Sequence, residues 1–341
     1  MSTGRTLSRL AVGFVVVTCA ALTGWIGGQG GGYCTQTANT LLDACRASVR
    51  DDGAVGRAVC INITGQSARD TCLDDLADSQ LESDQLCLDQ HDTRITACGV
   101  LGEARYDPDF RPARFDNPMR PSRPNPYFPL GVGKHWEYRS ATQVDIVDVV
   151  NETKKIAGVD CIVFRDQVFE GGFIHEATDD WYVPAKDGSV WYFGEEVKDF
   201  ETFRGDKPVR PELVSIDGSF KAGRDGDKPG VIALADPHVG DVYLEEFSLG
   251  NAEDVTEILS TTYSYGHDRA LDDGVPRELA QRFCAGNCVV TKNYSLLEPG
   301  LFARKYYARG VGTILEVENT GEVVQLVNCN FDRRCASLPK P

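Results

Sequence analysis

The sequence predicts an α+β protein in which a small disulfide-stapled helical module precedes a curved antiparallel β-sheet, a half-barrel or an open barrel. Three observations predict this fold. Six of the 12 cysteines recur at nearly helical spacing between Cys34 and Cys98. Seven of the 16 prolines crowd into residues 106–130. From Lys134 onward, apolar and polar residues alternate with the period of two that is typical of strands.

Composition excludes two broad classes of protein. A hydrophobic content of 42% is that of a globular chain, so we do not expect wholesale disorder. The chain carries 51 Asp and Glu against 35 Lys and Arg, for a formal net charge of −16. Since binding to nucleic acid requires a basic surface, this balance argues against a nucleic-acid partner.

Residues 1–32 have the layout of an export segment. Arg5 and Arg9 precede an apolar run from Leu10 to Ile26, as in a secretory signal peptide. The run is also close to the lower length limit for a membrane span, so an uncleaved N-terminal anchor is the second interpretation. A lipoprotein cysteine at Cys19 is the third. All three place the rest of the chain outside the cytosol, secreted or in the cell envelope, with membrane contact only through an uncleaved N-terminal segment.

An extracytoplasmic location implies that cysteines form disulfides. Ten cysteines are expected to do so: Cys34, Cys45, Cys60, Cys72, Cys87, Cys98, Cys284, Cys288, Cys329 and Cys335. We expect Cys284 to pair with Cys288 at a hairpin tip and Cys329 with Cys335 near the C-terminus. Cys161 then remains as a buried free thiol that packs as a small hydrophobic residue.

Residues 33–105 form the predicted helical domain. Its cysteines are separated by 11, 15, 12, 15 and 11 residues, and 11 residues are almost three helical turns. Three full helices running up, down and up would place three cysteines at each end of the bundle. An odd number at each end leaves one cysteine there without a partner. Either residues 52–63, with Gly53 and Gly56, interrupt the middle helix, or one disulfide is skewed. Spacing does not determine the connectivity.

Residues 106–130 are predicted to be an extended proline-rich linker, because proline lacks a donor and disfavours helix before it. This stretch is locally basic, with Arg111, Arg114, Arg120 and Arg123. The arginines have two interpretations, a contact with the acidic body of the protein or an anionic surface partner.

Residues 131–341 are the predicted antiparallel β domain. Val159, Cys161 and Val163 lie opposite Ile162 and Phe164, so this strand is apolar on both faces and is expected to be central. Asp187 and Gly188 separate two aromatic runs and predict a hairpin. Further strands are expected over 143–150, 172–183, 189–194, 241–248, 255–264, 288–295, 302–308, 311–318 and 322–328. The absence of interleaved long helices favours one strongly curved or closed sheet.

Two motifs in this domain carry a family resemblance. The segment 126–130 with Gly133, Trp136 and Tyr138 resembles the opening strand of exported bacterial lipoproteins and secreted proteins of unknown function. Residues 305–312, with the sequence KYYARGVG, resemble their closing strand. The resemblance covers about 126–328 and implies, by analogy, a LolA-like half-barrel that holds an apolar ligand or a partner. It implies no catalytic residues.

Candidate ligand-binding residues are six aromatic side chains that a curved sheet would bring together, with core packing as the ordinary alternative: Trp136, Tyr138, Trp181, Tyr182, Trp191 and Tyr192. The catalytic candidates are Glu176, Asp179 and Asp180. If pleating brought two of these carboxylates near Glu195, Glu246 or Asp254, they would suit Ca²⁺ binding or acid/base chemistry.

The sequence contains no nucleophile elbow and no histidine pair at metal-binding spacing. We therefore expect no catalytic activity, no metal and no cofactor. The functional hypothesis is an exported protein that binds an apolar ligand, or an envelope protein, on its curved sheet. The alternative is an extracellular hydrolase or a Ca²⁺-binding protein that uses the carboxylates around Asp180.

Overall fold

The computed structural model describes residues 32–341, so the predicted export segment, with Cys19, lies outside the described residues apart from Gly32. The helices are α1 (Tyr33–Ile61), α2 (Gln66–Leu101), α3 (Arg269–Asp272) and α4 (Arg277–Phe283). The strands are β1 (His135–Arg139), β2 (Gln143–Ile156), β3 (Val159–Glu170), β4 (Phe173–Pro184), β5 (Val190–Glu201), β6 (Glu212–Ser215), β7 (Phe220–Lys221), β8 (Lys228–Ala233), β9 (Val242–Leu244), β10 (Glu246–Phe247), β11 (Asp254–Ser264), β12 (Ala285–Ser295), β13 (Ala303–Ala308), β14 (Gly312–Glu318) and β15 (Val323–Cys329). Two 3-10 turns cover Pro112–Arg114 and Arg333–Cys335.

All strands belong to one antiparallel sheet that curves into a nearly closed barrel, which confirms the predicted α+β class. The strand order is β10-β8-β5-β4-β3-β2-β1-β15-β14-β13-β12-β11-β9, with β6 and β7 paired to β5. Its two outermost strands, β9 and β10, are separated by one residue, Glu245. The chain itself therefore crosses the seam of the barrel. A Cβ on Gly230 in β8 would come within 2.0 Å of the Glu245 carbonyl oxygen, so only glycine allows this close approach.

The sheet is covered on both faces in its central part. The predicted central strand is β3, which lies between β2 and β4. Ile162 and Phe164 belong to the interior core, whereas Cys161 and Val163 belong to a second cluster on the outer face. Cys161 is buried and unpaired, as predicted. Burial raises the pKa of its thiol, so it stays protonated and packs as an apolar side chain.

The proline-rich segment 106–130 runs along the barrel and supplies that outer cover. Phe115 packs edge-on against Phe193, with ring centroids 5.1 Å apart, and forms an isolated β-bridge with Ala185. Phe110 meets Phe193 at 6.3 Å. Where the segment reaches the end of the barrel, the Asn125 amide donates to the carbonyl oxygens of Gly188 and Leu234. The segment is thus held as a strap across the sheet.

The helical module is a two-helix hairpin with three disulfide rungs: Cys34–Cys98, Cys45–Cys87 and Cys60–Cys72. The three-helix arrangement considered above is wrong, because the chain turns at Asn62–Gly65, where Gly65 adopts a φ of 97°. Residues 52–61 continue α1.

Gly53 and Gly56 do not interrupt α1 but let the two helices approach closely. A Cβ on Gly53 would lie 1.8 Å from the Gln80 side chain, and a Cβ on Gly56 would lie 2.6 Å from Leu76. Few apolar side chains are buried along α1 and α2, so the cystines form much of the hairpin interior.

The base of the hairpin is fixed to the barrel by one buried ion pair. The guanidinium of Arg94 donates two hydrogen bonds, each 2.8 Å long, to the carboxylate of Glu253. Both side chains are almost fully buried. Gln90 adds a hydrogen bond to the Leu297 carbonyl, and Ala97 packs among Leu244, Val255 and Leu296. Because the bidentate pair satisfies both charges, its geometry fixes where α2 meets the sheet.

Most other strands predicted for the barrel are present, but the single strand expected over 241–248 is wrong. The chain there divides at Glu245 into β9 and β10, which lie at opposite edges of the sheet because the chain crosses the seam. Asp187 and Gly188 connect β4 to β5, with Tyr182 opposite Tyr192. Both predicted local disulfides, Cys284–Cys288 and Cys329–Cys335, are formed. In residues 32–341 no helix is long and apolar enough to cross a membrane. The described residues form five disulfides, a number typical of proteins outside the cytosol.

We expect the Cys45→Ser/Cys87→Ser double variant to loosen the hairpin and leave the barrel intact. Removal of the middle rung takes away buried sulfur atoms and a cross-link that together contribute about 2–4 kcal/mol. Hydrogen exchange should accelerate in residues 46–86 and remain unchanged in β2–β5. The matched control is Cys284→Ser/Cys288→Ser, whose loop lies in the barrel and should leave exchange in α1 and α2 unchanged. Equal acceleration across the whole chain would contradict this separation.

Candidate functional site

A continuous row of aromatic rings lines one part of the barrel interior. Trp136 stacks on Phe164 with ring centroids 6.1 Å apart, and Phe164 meets Tyr182 edge-on at 5.0 Å. Tyr182 stacks on Tyr192 at 4.7 Å. Phe128, from the strap, meets Tyr182 at 4.9 Å. The Trp136 indole donates a hydrogen bond to the Val311 carbonyl at 2.9 Å, which fixes the first ring of the row.

The six aromatic residues predicted to line a ligand cleft divide between the two faces of the sheet. Trp136, Tyr138, Tyr182 and Tyr192 face the interior. Trp181 and Trp191 lie in the outer cluster because side chains alternate along a strand. Lys154 lies over the Trp181 ring at 3.9 Å, and Phe115 covers Trp191 at 5.9 Å. The sheet therefore separates these two tryptophans from the interior, and the strap covers Trp191 from the outside.

A cavity of about 220 Å³ lies beside the aromatic row and is partly open to solvent. It is larger than a cavity of about 150 Å³ that accepts benzene, so it has room for one small molecule. Its apolar wall includes Trp136, Phe164, Val147, Ile232 and Val324. Its polar wall is formed by Tyr138, Asp145, Asp166, Asp180, Lys305, Tyr307, Thr313 and Glu316.

Asp145 and Asp166 face each other on the polar wall, from the neighbouring strands β2 and β3. With both groups ionised, the Oδ1 atom of each is buried and receives no hydrogen bond from residues 32–341. A hydrogen bond between the two carboxyl groups exists when one of them carries a proton. The pair therefore needs either a shared proton or a donor from outside the chain.

The predicted catalytic candidates do not act as one group. Asp179 faces outward and forms an ion pair with Arg165 at 2.9 Å. Asp180 faces the interior and accepts a hydrogen bond from the Tyr192 hydroxyl. Glu176 accepts a hydrogen bond from the Thr178 hydroxyl at 2.9 Å. Alternation along β4 thus leaves Asp180 and Glu176, but not Asp179, on the acidic inner side.

The sequence had left open whether pleating would gather further carboxylates, and the structure brings them together. Asp180 lies opposite Glu195 in the β4–β5 register. Glu246 on β10 lies close enough to Glu195, Asp254 and Asp180 for their charges to raise its pKa. Despite this convergence, no group of three acidic, histidine or cysteine side chains within residues 32–341 has an arrangement that suits a metal ion. The structure therefore offers no observation in favour of the Ca²⁺ hypothesis.

Burial makes the interior carboxyl groups weak acids. Loss of hydration raises the pKa of Asp145 to about 6 and that of Asp180 to about 7. The same cause, reinforced by neighbouring negative charges, holds the pKa of Asp166, Glu195 and Glu246 well above their usual ranges. Asp166, Glu195 and Glu246 therefore retain protons near neutral pH, because ionised carboxylates enclosed by protein lack water to solvate them. Asp180 is partly protonated at pH 7, and Asp145 is mostly ionised there.

The polar wall of the cavity also carries a cation, Lys305. Lys305 lies 3.7 Å from Glu316, and this carboxylate raises the pKa of the ammonium group. Each of the two side chains keeps 31% of its surface accessible, as expected where a side chain faces an open cavity. At the seam, Glu245 accepts a 2.9 Å hydrogen bond from Asn293, and burial raises its pKa to about 7.

Comparisons of the chain with protein-family models, with curated proteins and with solved structures found no match. The resemblance of the opening and closing strands to exported bacterial proteins therefore remains an expectation from the sequence. The character of the site rests on the geometry of its own residues.

Sequence reasoning missed the pair that faces the cavity, Asp145 and Asp166. A signal was present, because Asp145, Val147 and Val149 alternate along one face of β2, and Ile162, Phe164 and Asp166 do so along β3. Each acid thus shares a face with apolar residues. Lys305 and Glu316 were missed for a different reason: their meeting depends on the β13–β14 register, where the two residues are partners.

The raised pKa values predict that stability falls as the pH rises. Between about pH 4 and pH 7 the folded chain binds more protons at Asp145, Asp180 and Glu245 than the unfolded chain does, so the free energy of unfolding decreases across this range. Asp180→Asn removes one such group and should raise Tm at pH 8 by several degrees, since 1 kcal/mol shifts Tm by about 2–4 °C for domains of this size. It should have little effect at pH 4.

The matched control for Asp180→Asn is Asp179→Asn, one residue away on the opposite face. This substitution breaks the exposed pair with Arg165 and should not raise Tm at pH 8. Thermal unfolding followed by circular dichroism between pH 4 and pH 8 measures both effects. A Tm of the unmodified chain that rises steadily over this range would contradict the assignment of buried, protonated carboxyl groups.

Proposed function

We propose that the chain is an exported, extracytoplasmic protein that binds a small molecule inside its β-barrel, without catalysing a reaction. The observation that carries the proposal is the cavity of about 220 Å³, with an aromatic wall on one side and unsatisfied polar atoms on the other. Cavities of mixed lining, with a few fixed polar groups, are the usual form of small-molecule sites.

Three features support binding within the barrel. The apolar wall is held by strands, and Trp136 and Tyr138 are fixed by hydrogen bonds to the carbonyl oxygens of Val311 and Thr313. Two walls of opposite character orient a ligand, because its apolar part is favoured against the rings and its polar part against the carboxyl groups. The partial opening of the cavity provides a route for a ligand to enter.

Export is supported by the disulfides and by the sequence of residues 1–32. The helical hairpin depends on three rungs for its interior, and a reducing compartment would open them. A positively charged start followed by an apolar run is the pattern of an export signal.

A second candidate function, hydrolysis, is favoured by one observation. Asp180, with a pKa raised to about 7, lies among other carboxyl groups, as a general acid does. Its hydrogen bond from Tyr192 and the limited volume beside it favour a binding role instead. Turnover of glycosides or esters that is abolished by Asp180→Asn and retained by Asp179→Asn would support hydrolysis over binding.

Native mass spectrometry of the protein purified from its own host tests the proposed binding. We expect a non-covalent small molecule on the unmodified chain. Val147→Phe should exclude it, because Val147 lines the cavity and the larger ring would fill it. The matched control is Val144→Phe on the same strand, where alternation points the side chain away from the cavity, and it should retain the molecule. An empty protein, or a bound molecule unaffected by Val147→Phe, would contradict the proposal.

A further inference from the structure

Neither Asp145 nor Asp166 forms an ion pair with a cation among the described residues, although the charge of Lys305 acts on Asp166 from a longer distance. Among the described residues that line the cavity, Lys305 is the cation, and it lies 3.7 Å from Glu316. The buried Oδ1 atoms of Asp145 and Asp166 receive no hydrogen bond when both groups are ionised. Asp180, a third carboxyl group on the same wall, is bonded to the Tyr192 hydroxyl.

An aromatic surface lies within the same cavity as these carboxyl groups. Trp136 and Phe164 stack on one another, and Tyr182 continues the row. The faces of aromatic rings carry negative electrostatic potential and attract cations, while their area favours apolar groups. Negative charge, ring faces and partial exclusion of water are the features with which proteins recognise organic ammonium ions.

Building on the proposed binding function, we infer that the ligand is a small organic cation, an amine with an apolar or aromatic part, whose ammonium group donates hydrogen bonds to Asp145 and Asp166. Its apolar part lies against Trp136, Phe164 and Tyr182. The ammonium supplies the donors that the two Oδ1 atoms lack. A neutral or anionic ligand of the same shape leaves the carboxyl pair with its shared proton.

Binding of such a cation displaces a proton from the carboxyl pair to the buffer. The charged and titratable groups that face the pair are Glu176, Asp180, Glu316, Lys305 and the neutral hydroxyl of Tyr138. When these groups are ionised, their net charge is negative. Their electrostatic field therefore favours a cation throughout the pH range in which the pair loses its proton. Proton release on binding therefore distinguishes a bound amine from an apolar molecule held by the rings alone.

The test compares three probes that share a phenyl ring and a short linker: 2-phenylethylamine, 2-phenylethanol and 3-phenylpropanoate. Isothermal titration of the purified chain at pH 7, in two buffers with different enthalpies of ionisation, gives the affinity and the proton release. We expect the amine to bind about tenfold or more tightly than the alcohol, because a charge-assisted hydrogen bond contributes that much. The propanoate should bind more weakly than the alcohol.

Asp166→Asn and Asp145→Asn should each reduce the preference for the amine to about threefold or less and abolish proton release, while binding of the alcohol is kept. The Tm of both variants is measured as well, so that a loss of binding caused by misfolding can be recognised. Asp179→Asn, on the outer face, is the matched control and should behave like the unmodified chain.

Four other outcomes overturn the inference at different levels. Equal affinity for the alcohol and the amine would contradict the inference that the ligand is a cation, but not the proposed binding function. If no probe binds and the native mass spectrum shows no bound molecule, both the cation inference and the proposed binding function are contradicted. Stabilisation by Ca²⁺ or Mg²⁺ alone, lost in Asp166→Asn, would assign the pair to a metal instead. Preference for the amine that persists in both Asn variants would place its ammonium group elsewhere.

Discussion

Enclosure of carboxyl groups by a nearly closed β-barrel is the constraint on which the rest of the structure depends. A carboxylate inside protein is stable only with a cation, with donors or with a proton. Asp180 accepts a hydrogen bond from the Tyr192 hydroxyl, and Glu245 accepts one from the Asn293 amide. Glu316 forms an ion pair with Lys305. Asp145 and Asp166 share a hydrogen bond when one of them carries a proton. Barrel closure therefore sets both the protonation of the interior and the kind of ligand that would fit it.

Closure itself depends on elements outside the regular strands. Glu245 carries the chain across the seam from β9 to β10, and Gly230 makes room for its backbone. The strap covers the outer face of β3, β4 and β5 with Phe110 and Phe115. The hairpin meets the barrel through the buried pair of Arg94 and Glu253. The crossing at Glu245 joins the two edges of the sheet, whereas the strap and the hairpin cover parts of its outer surface.

Local patterns in the sequence were sufficient to predict most elements of the fold. Alternation identified β3 as a strand buried on both faces, and Asp187 with Gly188 identified the β4–β5 hairpin. The pairing of the helical cysteines was not predicted, although the two cysteines of each rung are equally distant from Gln66 in the sequence. Strands β6–β8 were missed because they are short and lie among turns.

The site was less predictable because it depends on contacts that are distant in sequence. The sequence analysis grouped all six aromatic residues, although alternation separates Trp181 from Tyr182 and Trp191 from Tyr192. Which of the two faces becomes the interior is decided by the direction of sheet curvature. The acids at 145 and 166 meet through the β2–β3 pairing, and Lys305 reaches Glu316 through another strand pair. Register and closure are properties of the whole sheet, not of any one segment.

Protonation of carboxyl groups inside the barrel at neutral pH is the feature on which the proposed site depends. Infrared spectroscopy of the carbonyl stretch of protonated carboxylic acids measures this directly. The account predicts that this band persists at pH 7 in the ligand-free protein, weakens in Asp166→Asn and disappears only at higher pH. A spectrum at pH 7 that shows ionised carboxylates alone would contradict it.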